Sequence, residues 1–194
     1  MIKIGKLALP LLFLILILTA CGDKYEGELS WEVNDFSFSD QDGEKITQNS
    51  LEGKFWVADF IFTNCVTVCP PMTANMARLQ DKLKEAGLDK VELVSFSIDP
   101  ERDTKEALKE FGKAHGASFE NWHFLTGYDF KTIKELSIKS FKSPVEAVEE
   151  GEQYMHGTSF FLVSPEGNVI ERYKGTKIEA MDKIIDDIKG FQKE

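Results

Sequence analysis

Residues 55–83 read FWVADFIFTNCVTVCPPMTANMARLQDKL, and the stretch changes character at Phe62. Up to that point, residues 55–62 form a dense apolar run of the kind buried on both faces in a central strand. Beyond it, Met72, Met76, Leu79 and Leu83 recur at i, i+4, i+7 and i+11, which marks one face of a helix closing near Gly87. Pro70 and Pro71 fit the first turn of that helix, where no amide hydrogen is needed. The turn between strand and helix holds Cys65 and Cys69. Such a turn is where a thiolate forms most easily, because unpaired backbone N–H groups and the positive end of the helix dipole face the anion.

Working outward, residues 31–47 read as a hairpin. Val33, Phe36 and Phe38 supply its apolar positions and Asp40-Gln41-Asp42-Gly43 its turn. Residues 91–98 form a second buried strand. Asp103 with Glu106 three residues on is a capping signal for a helix carrying Ala107, Leu108 and Phe111. A short strand is expected at 122–125 and a helix around Phe130, Ile133 and Leu136. Residues 142–157 look like loop. A second hairpin spans 159–163 and 169–173, and Ile178, Met181, Ile184, Ile185 and Ile188 mark the last helix. Strands alternating with helices and then a terminal hairpin imply an α/β fold with a mixed sheet covered on both faces. The order resembles a thioredoxin-like fold with an extra N-terminal β-hairpin and an inserted helix–strand segment.

The chain has 194 residues, 42% apolar and 11% aromatic, which suits one globular domain and excludes a disordered chain. Its three cysteines are too sparse for a disulfide scaffold. The excess of 33 acidic over 23 basic residues argues against a nucleic-acid partner. Residues 1–20 read as a secretory signal: Lys3 and Lys6, then an apolar stretch from 7 to 18 that is short for a membrane span. Leu18-Thr19-Ala20-Cys21 resembles the bacterial lipobox, in which cleavage precedes the cysteine and the cysteine carries lipid. The expected organisation is a lipoprotein signal peptide over 1–20, a tether over 21–30 and one domain over 31–194. The domain would then be lipid-anchored through Cys21 on the extracytoplasmic face of the cell membrane, an oxidising space. An uncleaved anchor with an incidental cysteine is the alternative.

On a regular helix, residues four apart hold their Cβ atoms about 5–6 Å apart, whereas a disulfide wants roughly 3.5–4.5 Å. A Cys65–Cys69 bond therefore needs one cysteine off the helix, while two thiolates sharing a metal ion tolerate the wider spacing. Two buried thiols or an inert disulfide are the plainer readings, although a staple closing so short a loop gains little. Of the three histidines, His115 falls at a helix end and His123 in a short strand. His156 lies just before the strand at 159–163, a place that faces the cysteine turn in a thioredoxin-like layout. Two thiolates and one imidazole make a soft three-coordinate set, best matched by copper, whereas zinc normally takes a fourth ligand. Spacing alone leaves an ordinary loop histidine equally open.

Residues 60–70, FIFTNCVTVCP, resemble the core motif of the Sco/SenC copper chaperones, and residues 97–104, SIDPERDT, match that family's second signature. His156 precedes SFFLV at 159–163 as the family's copper histidine precedes its strand. The resemblance runs from Trp31 to the C-terminus, and the lipobox with CPPMT at 69–73 looks most like the Bacillus-type lipoprotein members. It implies that Cys65, Cys69 and His156 bind Cu(I) or Cu(II), the thiolates holding Cu(I) alone and the imidazole assisting Cu(II). It also implies a metallochaperone rather than a turnover enzyme, one that helps build the CuA centre in subunit II of cytochrome c oxidase. Another copper chaperone or a thiol reductant are further implied partners. Cys65 and Cys69 would double as a redox-active pair that reduces the target's cysteines.

The family usually has Pro-Asp between its cysteines, where Val66-Thr67 stands here, and an acidic residue before its histidine, where Met155 stands. Both changes remove negative charge and are expected to weaken Cu(II) binding. Asp59 occupies a position where thioredoxins carry a buried aspartate that assists proton transfer at the second cysteine; a paired or solvated strand residue is the plainer reading. Asp99 and Arg102 read as caps for the following helix or as hydrogen-bonding groups near the site. The rival function is a thiol–disulfide oxidoreductase without an essential copper role. Against it stand a spacer of three residues where thioredoxins use two, and the lack of proline between Pro144 and Pro165, with Thr158 near the place of the missing one. A peroxiredoxin would need Thr or Ser at position 62 and Pro at position 58, where Phe62 and Ala58 stand.

Overall fold

The structure, a computed structural model, describes residues 25–65, 67–148 and 153–193. In chain order the elements are β1 (Trp31–Glu32), β2 (Ser37–Ser39), β3 (Lys45–Thr47), α1 (Gln48–Leu51), β4 (Trp56–Ile61), α2 (Cys69–Glu85), β5 (Glu92–Ser97) and α3 (Lys105–Ala114). There follow β6 (Trp122–Leu125), α4 (Phe130–Phe141), β7 (Glu146–Ala147), β8 (Tyr154–Met155), β9 (Ser159–Val163), β10 (Asn168–Lys174) and α5 (Glu179–Phe191).

Six strands form the main sheet in the order β1-β10-β9-β4-β5-β6. β4 and β5 run parallel from Trp56↔Glu92 to Ile61↔Ser97, and β6 continues the parallel side. β9, β10 and β1 add antiparallel strands on the other side. Every residue of β4 is buried, as its unbroken apolar run requires of a central strand. Side chains alternate across the sheet, so the ring contacts identify what covers each face. Phe141 of α4 packs edge-on against Phe60 at 5.3 Å and against Trp56 at 6.2 Å, and Phe36 also meets Trp56. Phe191 of α5 stacks on Phe55 at 6.3 Å, and α5 lies beside α2. Phe55, Asp59 and the helices α2 and α5 therefore share the opposite face. This is the expected thioredoxin-like layout, with β2–β3 as the added hairpin and α3–β6 as the insert.

Four local readings change. The N-terminal hairpin is only β2–β3; Trp31 and Glu32 leave it to pair with Val169 and Asn168 at the sheet edge. The one-turn helix α1 was hidden because Thr47 and Ser50 cap it reciprocally, with serine where glutamate is the usual sign. Helix α3 is capped by Thr104, whose Oγ1 accepts the Ala107 N–H at 3.2 Å, and not by Asp103. The loop at 142–157 contains the small β7–β8 ribbon, pairing Glu146 with Met155 and Ala147 with Tyr154.

The expected leader, 1–20, and the lipidation residue Cys21 lie outside the described residues. Residues 25–30, read from sequence as part of a tether, lie against the domain. Tyr25 packs edge-on to Phe55 at 4.9 Å, the Leu29 N–H donates to the Ile170 carbonyl at 3.0 Å, and the Glu28 N–H donates to Glu171 Oε1 at 3.0 Å. Gly27 passes so close that a Cβ there would stand 2.3 Å from the Ile170 oxygen, so no larger residue fits without moving the segment. No described helix is long and apolar enough to cross a membrane.

Candidate metal centre

Where β4 ends, the chain turns through 62–68 and enters α2 with Cys69 as its first residue. A buried carboxylate holds the turn in place. Asp103 accepts the Thr63 N–H at 3.2 Å, the Thr63 hydroxyl at 2.6 Å and the Ser97 hydroxyl at 2.6 Å. Burial raises its pKa, and the bonds from Ser97 and Thr63 only partly offset this. Asp103 thus turns inward to the cysteine loop, which leaves the helix cap to Thr104.

Both cysteines are free thiols and both are buried. Cys65 lies in the turn, off the helix, and accepts the Cys69 N–H on its sulfur at 3.3 Å. Burial opposes ionisation of Cys65, but hydrogen bonds from the Cys69 thiol and from the Cys69, Thr67 and Val68 amides outweigh it and hold its pKa below the ordinary value. Burial, and then the hydrogen bond to Cys65, pushes the Cys69 thiol well above the ordinary value.

His156 stands just before β9 and reaches this pair, its Nε2 lying 3.4 Å from Cys69 Sγ. Its Nδ1 is 2.9 Å from the Gly157 carbonyl. A carbonyl can only accept, so Nδ1 carries the hydrogen and the Nε2 lone pair faces the sulfurs. Burial lowers the pKa of the ring and favours this neutral form, against the pull of the Gly157 carbonyl. The three ligand atoms of Cys65, Cys69 and His156 all lie within 4.8 Å of one another. Among the described residues this is the one such group of His, Cys, Asp or Glu. Two soft sulfurs and a neutral imidazole, with no fourth donor grouped with them among the described residues, fit copper better than zinc.

The SCO1/SenC family profile matches residues 26–193. This chain belongs to the SCO1/SenC family. The SCO1 protein homolog of Bacillus subtilis is 47% identical over 177 residues, 91% of each chain. A solved SCO1/SenC family lipoprotein from Bacillus anthracis superposes with a TM-score of 0.81 at 46% identity, covering 84% of this chain and 96% of that one. BsSco, described as a member of the Sco family of cytochrome c oxidase assembly proteins with a disulfide switch, gives 0.78 at 46% identity, covering 87% and 98%. Arabidopsis thaliana ScoI, solved with copper bound, gives 0.70 at 28% identity, covering 81% and 98%.

The other residues singled out in this SCO1/SenC chain are scattered. Asp59 is fully buried, neither solvated nor ion-paired. Its Oδ1 accepts the Ser95 hydroxyl at 2.6 Å, its Oδ2 has no hydrogen-bond partner, and burial raises its pKa to about 7. Asp99 does not cap α3. It pairs with Arg102 at 3.1 Å and accepts the Tyr154 hydroxyl at 3.1 Å. His115 sits at the C-terminus of α3 with Nδ1 2.8 Å from the Phe111 carbonyl, the end position expected of it. His123 lies on β6 between Asp40 and Glu92, far from the cysteines in the sheet order. Thr67 lies 3.9 Å from Cys65 Sγ, Met155 is 64% exposed, and Val66 lies outside the described residues. Thr158 stands before β9 and its carbonyl accepts the Gly175 N–H at 2.8 Å. Sequence reasoning missed Tyr154 altogether. Nothing local marks it, since its partner Asp99 is 55 residues away.

Proposed function

We propose that this chain is a membrane-tethered copper-binding protein that assists assembly of the CuA centre of cytochrome c oxidase subunit II. The observation that carries the reading is the convergence of Cys65 Sγ, Cys69 Sγ and a neutral His156 within 4.8 Å. Copper is the cargo. The two thiols supply the donors that suit Cu(I), and the His156 Nε2 adds the nitrogen that suits Cu(II). The relatives solved with copper bound, or described as oxidase assembly proteins, support the same reading. Cys21 is proposed as the lipid-bearing residue at the extracytoplasmic face of the membrane, in line with the Bacillus anthracis lipoprotein.

Reduced protein titrated with Cu(II) is expected to bind one ion and to develop an intense sulfur-to-copper absorption. His156→Ala is expected to weaken Cu(II) binding by roughly 10²-fold, one ligand's share, and to leave thiol–disulfide exchange intact. Reduced protein with no such absorption, together with unchanged copper affinity in His156→Ala, would sink the copper reading. In cells, deleting the gene is expected to lower the activity of CuA-containing oxidase and to spare quinol oxidases that lack CuA. Equal loss of both counts against the proposal.

The second reading, reduction of the target's cysteines, is favoured by the asymmetry of the pair. The Cys65 sulfur receives the Cys69 N–H, while Cys69 is wholly buried. In that scheme the Cys65 thiolate attacks a disulfide of the target and releases one thiolate. Cys69 then loses its proton, attacks the mixed disulfide and releases the second thiolate. Two electrons pass to the target, and the Cys65–Cys69 bond forms. An insulin-reduction assay beside the copper titration separates the two. Strong turnover without copper binding favours the oxidoreductase.

A further inference from the structure

His156 stands close to Cys69, yet the chain that carries it has little structure of its own. The ribbon of β7 and β8 has two residue pairs, with one further bond from the Val148 N–H to the Gln153 carbonyl at 3.0 Å. A two-stranded ribbon this short is marginal alone, so ties to the rest of the domain must set where His156 lies. Gln153 Nε2 donates to the Asn64 carbonyl at 3.3 Å, but this bond is exposed and water competes for it. Tyr154 makes a different kind of contact. Its hydroxyl donates to Asp99 Oδ1 at 3.1 Å, and Asp99 is 1% exposed and held through Oδ2 by Arg102. A hydrogen bond to a buried carboxylate is among the stronger ones available.

The ring of Tyr154 adds packing to that bond. It meets Phe62 edge-on at 5.5 Å and Phe130 at 5.4 Å. Phe62 also meets the His156 ring edge-on at 5.8 Å. Residues two apart in extended chain project to the same side, so Tyr154 and His156 both point at Phe62, three residues before Cys65, while Met155 points to solvent. Asp99 sits just beyond the end of β5, two residues from Ser97, and Ser97 shares Asp103 with Thr63 of the cysteine turn. The histidine and the cysteines are thus registered against the same end of β5.

We propose that Tyr154, hydrogen-bonded to Asp99, is the positioning residue that sets His156 on the cysteine pair. The bond would then govern the affinity for Cu(II), which uses the imidazole, and leave Cu(I) to the two thiols. The inference deepens the copper reading and rests on it.

Tyr154→Phe keeps the ring against Phe62 and Phe130 and leaves Asp99 its Arg102 partner, so the fold is retained. In the reduced full chain it is expected to weaken Cu(II) binding about tenfold, the worth of one such hydrogen bond. Cu(I) affinity is expected to stay within about twofold of the parent, since softness assigns that ion to sulfur. In the metal-free reduced protein, hydrogen exchange at the Val148 amide is expected to quicken by roughly tenfold as the ribbon loses its tie. Unchanged Cu(II) affinity, equal weakening of both copper states, or unchanged exchange at Val148 each overturns the proposal. If the parent protein takes up no Cu(II), the copper reading falls, and exchange at Val148 decides the positioning role by itself.

Discussion

Cys65→Ser is expected to abolish both proposed activities at once. Dividing the roughly 10–16 kcal/mol of a four-ligand structural metal site among its ligands gives about 2.5–4 kcal/mol for each, or some 10²–10³-fold in affinity. A lost thiolate sits at the upper end of that range, because copper favours sulfur over the oxygen that replaces it. The sulfur-to-copper absorption should weaken and shift, since only the Cys69 sulfur remains, and no Cys65–Cys69 disulfide can form. The fold should survive, since Cys65 lies in the turn and Asp103 holds that turn through Thr63. A Cu(I) competition titration with a chelator, run beside a thermal melt, checks both halves. Retention of Cu(I) affinity within tenfold of the parent would mean that Cys65 is not a ligand, and a collapsed melt would mean that it is structural.

The second large effect concerns Asp59. Burial holds its proton up to a pKa of about 7, against an ordinary value of 3.8 for the free side chain. Below pH 4 the carboxyl is protonated in folded and unfolded chains alike and makes no difference. As pH rises from there, the unfolded chain releases the proton and the folded chain keeps it, so stability falls by about 1.4 kcal/mol per pH unit. The stability present below pH 4 is therefore lost progressively up to pH 7, about 4 kcal/mol in all, and the curve flattens above. Asp59→Asn removes this slope. Urea denaturation of the reduced, metal-free protein at intervals from pH 4 to 8 measures it, and every other titrating group cancels in the difference. Parallel curves for parent and variant would refute the account.

Much of this was legible from local pattern. Residues 55–62 read as a buried strand and the 72–83 periodicity as a helix, which put the cysteine turn between them. The His156 position followed from the layout, because the strand it precedes pairs antiparallel with β4 and so starts at the cysteine end of the sheet. What stayed hidden depends on contacts distant in sequence. Asp103 looked like a helix cap because its true partners are Thr63, 40 residues back, and Ser97 across the turn. Tyr154 looked like loop because its acceptor is 55 residues away. Trp31 alternates like the hairpin beside it, and only the geometry of β10 draws it to the main sheet. Patterns of two and 3.6 residues report which face is buried, and they are silent on which buried group meets which.

The packing of Tyr25 on Phe55 has an orientational consequence. Phe55 immediately precedes β4 and the cysteines follow its end, so six strand residues, or roughly 20 Å of rise, separate the two poles of the domain along this strand. Tyr25 thus holds the domain at its base, with the thiols at the summit. With lipid at Cys21, four residues before Tyr25, the slack between bilayer and base is at most about 14 Å. The domain would stand as a short pillar whose crown faces away from the lipid, and a recipient would have to present its own site at that altitude.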